Sequence, residues 1–178
     1  AAQIAALTTT QIPSLTTAQI AALTSAQIKA MQTADVAQLT TAQIAALTTD
    51  QMSGLTSAQL AAMSTAQVAA IETADFAKIS AAALAGLTTA QIVALTTDQA
   101  AALTTSQIAG LTTKQIAALT TDQVVDLTTS QAAALTATQI TSLTTTQITA
   151  METVDLAALT TSVIAKLTTA QVVALDTT

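Results

Sequence analysis

Histidine, cysteine, tryptophan, tyrosine, arginine and asparagine are all missing from this sequence, and most side chains that carry catalysis or ligation are missing with them. Without cysteine there is neither a disulfide framework nor a thiolate metal site, and both reducing and oxidising compartments stay open. Four lysines stand against ten acids, a net charge of -6 at pH 7, so no basic patch exists to neutralise a row of phosphates and nucleic acid is not an expected partner. The chain is 51% apolar. Threonine and glutamine nevertheless break every apolar run far short of the roughly 18 residues of a membrane span, so no transmembrane segment is expected. The opening AAQIAALTTTQ has no basic n-region and no long apolar core, so no signal peptide is expected within these residues.

What fills the chain is one phrase. LTTAQIAA at Leu15–Ala22 returns at Leu39–Ala46, and near-copies recur with a period of eight from end to end. With Leu15 as position 1, that position is Leu, Met or Ile in all 22 occurrences from Leu7 to Leu175. Position 6 is always apolar, with Phe76 as its one aromatic and Ala100 and Ala132 as its small members. Position 5 is Gln in 17 of 22 copies, whereas position 4 drifts through Ala18, Asp50, Ser106 and Lys114. Fidelity marks packing or hydrogen bonding, and drift marks the solvent face, which is expected at position 4.

A single continuous helix does not suit this period. Eight residues at about 100° each leave a stripe drifting by about 80° per repeat, and paired threonines add β-branching penalties. Strands are equally ill served, because positions 1 and 6 do not alternate with period two. Each octad instead reads as its own short helix. Thr16-x-x-Gln19 is a capping box, in which the Thr16 hydroxyl accepts from the Gln19 N–H while the Gln19 side chain reaches back to the Thr16 N–H. Leu15 and Ile20 then occupy the N′ and N4 positions of a hydrophobic staple. The same motif stands at Thr88 with Gln91 and at Thr112 with Gln115. Ile20 also lies three residues before Leu23, which makes a continuous apolar spine.

Gly54, Gly86 and Gly110 all fall at position 8. Either a left-handed helix end wants glycine there, or the site needs a small residue. Where position 2 is Gln32, Glu72 or Glu152, position 5 is Asp35, Asp75 or Asp155, with Thr33, Thr73 or Thr153 between them as a candidate shifted N-cap. Pro13 sits at position 7, where its ring should break the last helical turn.

A helix of about six residues does not persist alone. Two large apolar side chains, worth roughly 1.5 to 3 kcal/mol each, do not offset about 1.5 kcal/mol per ordered residue, so stacking must supply the stability. The expected fold is all-α: an α-solenoid of short capped helices, one per octad, with two to four octads per superhelical turn. At about 8 to 10 Å per layer the rod would be roughly 50 to 100 Å long. The variant octads at Met31, Ile71 and Met151 stand 40 and 80 residues apart, which points to duplication of a five-octad block. Residues 1–178 read as a single array of about 22 octads, and neither end has a polar cap, so a fragment of a longer array with flanking domains is expected.

No catalytic, cofactor or metal site is expected. Asp50, Asp98 and Asp122 share position 4, but no local cluster supplies the six to eight oxygens of a calcium site. Glu72 with Asp75 and Glu152 with Asp155 are explained better by the helix cap than by acid–base chemistry. The threonine rows offer regularly spaced hydroxyls and methyls, which makes a surface for ice, glycan or another copy of the chain the competing reading.

The repeated LTTAQIAALTTDQ of Leu39–Gln51 and its variants resemble the octapeptide tracts of giant exported bacterial proteins of the adhesin or haem utilisation/adhesion kind. The resemblance spans the whole chain. It implies a secreted or cell-surface setting and an extended stalk, and no haem site, because His, Tyr and Cys are absent and Met31, Met52, Met63 and Met151 are unsuited to form one alone.

Overall fold

The computed structural model describes residues 8–175. Among them the chain forms one 3-10 turn at Ile12–Ser14 and twenty α-helices, from α1 (Thr17–Ala21) to α20 (Thr169–Leu175), one in each octad. The helices run from four residues, as at Thr33–Val36, to seven at Thr169–Leu175. Between helices the backbone is extended at positions 1 and 2. Leu111 has φ -65 and ψ 143, and Thr112 has φ -71 and ψ 157, so two extended residues redirect the chain at each junction.

Each helix packs on the helix three further along: α9 (Ala81–Leu84) lies against α6 (Ser57–Ala62) before it and α12 (Thr105–Gly110) after it. The result is an α-solenoid. Hydrogen bonds between successive coils join residues 28 and 31 apart, as from Gln115 to Leu87 and Leu84, and these separations lie between three octads (24 residues) and four (32). A turn therefore takes about three and a half octads, inside the expected range. Position 6 side chains such as Ile92, Ile108 and Ile116 are wholly buried, and they join the position 1 residues in one hydrophobic cluster running from Ile12 to Val163. Position 4 is on the outside: Ala18, Asp50, Ser106 and Lys114 are all exposed.

The glycines are there for closeness, not for a left-handed turn. Among the described residues none, glycine included, has positive φ, and Gly54 ends its helix at φ -84 and ψ -13. A Cβ on Gly86 would lie 2.4 Å from the Ser57 carbonyl oxygen, on Gly54 2.9 Å from that of Ser25, and on Gly110 2.8 Å from the Ala81 Cβ. In every case the neighbour is the position 3 residue 29 places earlier. Position 3 is otherwise Thr, except at Ala137. Loss of the Cβ at position 8 thus goes with loss of the threonine methyl on the preceding coil, so backbones approach through a matched pair.

Two further expectations meet the structure differently. Pro13 does disturb its octad, which forms only the 3-10 turn Ile12–Ser14 with proline in its first positions. The shifted cap does not occur. In the three variant octads the N-cap stays at position 2, on Gln32, Glu72 and Glu152, without a side-chain cap bond, and Thr33, Thr73 and Thr153 are already the first helical residues. Thr at position 3 has entered the helix, so its hydroxyl is past the point from which it could accept from the first turn.

Candidate functional site

The feature repeated most faithfully is the pairing of position 2 with position 5. At Thr16 the backbone N–H donates to Gln19 Oε1 at 2.8 Å, and the Gln19 N–H donates to Thr16 Oγ1 at 3.2 Å. Thr88 and Gln91 repeat this at 2.7 and 3.2 Å, and Thr112 and Gln115 at 2.8 and 3.2 Å. Leu15 is half-buried beside them, and Ile20 is completely buried.

The glutamine does more than close its own helix. Gln115 Nε2 donates to the Leu84 carbonyl at 2.8 Å and to the Leu87 carbonyl at 2.9 Å, both on the previous coil. Gln91 does the same to Leu60 at 2.8 Å and Met63 at 2.7 Å. The position 6 acceptors lie in the last turn of an earlier helix and also take a backbone N–H, as Leu84 does from Leu87 at 3.0 Å, whereas the position 1 acceptors lie in the extended junction after it, outside any helical ladder. The Thr112 hydroxyl also donates to Gln115 Oε1 at 3.1 Å, so this amide uses both hydrogens and both lone pairs. One side chain therefore caps the N-terminus of its own helix and the C-terminus of another about one turn below. It can do so only because it is buried, with Gln115 2% exposed.

A capping box accepts Glu or Gln. Here only Gln serves, because a carboxylate has no hydrogen to offer the two carbonyls. The bias toward Gln without a single Glu at position 5 was the signal of this second role, although the box alone accounted for the residue and concealed it. The partners one turn away were the missing information. The three aspartates show what the substitution does. Asp75 accepts from the Thr49 hydroxyl of the previous coil at 2.6 Å. Asp35 Oδ2 and Asp155 Oδ1 are buried and have no hydrogen-bond partner. The register that sets Gln147 on Ile116 and Leu119 brings Asp155 to Val124 and Leu127, so an acceptor there faces acceptors.

The other candidates are dispersed. Asp50, Asp98 and Asp122 are each exposed on their own helix, and among the described residues no three acids gather in a group able to hold a metal ion. Glu72 and Glu152 are exposed N-cap residues. Among the described residues no helix is long and apolar enough to cross a membrane.

Fold and site together define a class: an all-α repeat protein whose repeated chemistry is structural, with polar side chains committed to joining coil to coil. The chain belongs to the ALTTAQ repeat family, whose model matches residues 1–33, 28–65, 68–105, 101–129 and 148–178. Between the last two segments the same bonds continue through Gln131 and Gln139, so the coil runs unbroken across the unmatched residues. No curated protein and no solved structure matches the chain.

Proposed function

We propose that this array is a spacer of a large bacterial surface or secreted protein, holding a binding domain at a distance set by the number of octads. The observation that carries the reading is the coil-to-coil glutamine: each coil is held only to its neighbours, by the same two bonds and the same apolar spine, so added octads lengthen the array without altering what came before. The ALTTAQ family and the octad's resemblance to tracts of giant exported proteins support an extracellular or cell-surface setting with flanking domains. About six turns at about 8 to 10 Å per layer give a rod of roughly 50 to 60 Å.

A second reading is favoured by the exposed position 3 threonines, such as Thr89 and Thr113, whose hydroxyls make no bond to the cap. In that reading the threonine-bearing side contacts ice or glycan. Small-angle scattering on arrays of increasing octad number separates the two when paired with ice-recrystallisation and glycan-binding assays. A maximum dimension rising linearly with octad number, with neither binding activity, is the spacer result. Saturable binding lost on Thr89→Val and Thr113→Val would replace the spacer with a binding module.

A further inference from the structure

Each position 5 side chain faces a convergence of backbone oxygens on the previous coil. The Gln131 amide nitrogen lies 2.9 Å from the Ala100 carbonyl oxygen, 3.0 Å from that of Ala101 and 2.7 Å from that of Leu103. Gln147 meets Ile116, Ala117 and Leu119 in the same way, at 3.3, 3.2 and 2.6 Å. These carbonyls stand 31, 30 and 28 residues before the glutamine. In the octad after Gln147 position 5 is Asp155, and the same separations place it against Val124, Val125 and Leu127. Asp155 is 2% exposed, and its Oδ1 is buried with no hydrogen-bond partner. Its side chain is one methylene shorter than glutamine, so the carboxylate stops short of the point on which the carbonyls converge. Two further acids stand at this junction. Asp126, between Val125 and Leu127, is the C-cap of its helix, where a negative charge opposes the helix dipole. Glu152 is the N-cap three residues before Asp155 and makes no side-chain cap bond. Both are exposed, and neither 124–127 nor 152–155 holds a lysine.

We propose that Asp155 and the carbonyls of Val124, Val125 and Leu127 hold a calcium ion between two coils. A cation at the convergence point does what the amide hydrogens do in other octads: it gives the carbonyls a positive partner, and it does the same for the buried carboxylate oxygen that faces them. The donors are all oxygen, as a hard cation requires, and water completes the six to eight ligands that calcium takes. Calcium accepts such an irregular, carbonyl-rich set, whereas magnesium demands a near-ideal octahedron. Among the described residues no three acids gather around one point, so Asp126 and Glu152 act through their charge and not as ligands. The joint exchange at positions 2 and 5 then has a cause, because Glu152 adds a second negative charge beside a divalent ion. Asp75 lacks this need, since the Thr49 hydroxyl already donates to it at 2.6 Å. The site is independent of whether the array serves as a spacer.

Isothermal titration of the 178-residue chain with calcium chloride in chelator-treated buffer, together with thermal melts, tests this. The expected result is saturable binding and a melting temperature raised by about 5 °C at roughly a hundredfold excess over Kd, reversed by EDTA. Magnesium at the same concentration should do neither. Asp155→Gln restores the pairing of the other octads, so it folds, and it should lower the calcium stoichiometry by one ion per chain. Asp126→Asn and Glu152→Gln should each weaken binding several-fold with the stoichiometry kept. Asp122→Asn, at the exposed position 4, should leave binding as it is. An unchanged stoichiometry in Asp155→Gln, an equal loss in Asp122→Asn, or an equal response to magnesium would overturn the proposal. A melt indifferent to calcium and to EDTA would overturn it too, and would leave water to bridge the carboxylate and the carbonyls.

Discussion

At the residue scale the amide group decides what position 5 can be. Gln115→Glu keeps an oxygen for the Thr112 N–H but turns the other oxygen toward the Leu84 and Leu87 carbonyls, a buried acceptor against acceptors. The expected cost is about 2 to 4 kcal/mol near neutral pH. The new carboxyl is held protonated in the fold, above its ordinary value of about 4.3 in the unfolded chain. The stability of its protonated form is therefore present below that value and lost as pH rises through the folded one. Urea unfolding of the variant should show stability recovering on acidification, relative to the parent, and a flat difference with pH would mean the side chain had escaped to water. The converse change is Glu152→Thr with Asp155→Gln. It supplies the missing hydroxyl cap and gives the Val124 and Leu127 carbonyls a donor, and it should raise stability by about 1 to 3 kcal/mol in the same titration.

At the element scale a five-residue helix survives because both its ends are closed, one by its own octad and one from the next coil. Thr112→Ala removes the hydroxyl that accepts the Gln115 N–H at 3.2 Å, and it should cost about 0.5 to 2 kcal/mol. Ser106→Ala at the exposed position 4 should cost far less, and equal losses at the two sites would remove the cap from the account. Glycine gives a test with the opposite sign from helix propensity. Alanine normally gains about 1 kcal/mol over glycine in a helix. Gly86→Ala, however, puts a methyl 2.4 Å from the Ser57 carbonyl oxygen and should destabilise by about 1 to 3 kcal/mol. Gly110→Ala meets a side-chain methyl at 2.8 Å instead, with backbone no nearer than 3.7 Å, so its loss should be the smaller of the two in thermal melts.

At the scale of the whole molecule the contacts are nearest-neighbour, each coil touching the one before and the one after. Stability should rise with octad number until a few coils are present and then level off, as a quasi-one-dimensional array requires. Chemical denaturation of arrays from one to six turns measures this, and a stability independent of length would mean that the octads do not support one another.

The octad itself was legible in the sequence because its causes are local. A threonine three residues before a glutamine caps a helix wherever it occurs, so the box at Thr88 and Gln91, the apolar spine of positions 1 and 6, and the outward position 4 all follow from spacing within eight residues. The three glycines were visible but ambiguous, since a turn and a close approach ask for the same residue; only the neighbour 29 residues away separates them. The pitch was hidden for a similar reason. Capping and stapling are satisfied whether a turn holds two octads or four. What selects about three and a half is the reach of the glutamine amide to two carbonyls one coil away, together with the closeness allowed at position 8. Local hydrogen bonding fixed the helices, and packing between residues about 29 apart fixed how they wind, because an amide nitrogen finds its acceptors only once the previous coil is in place.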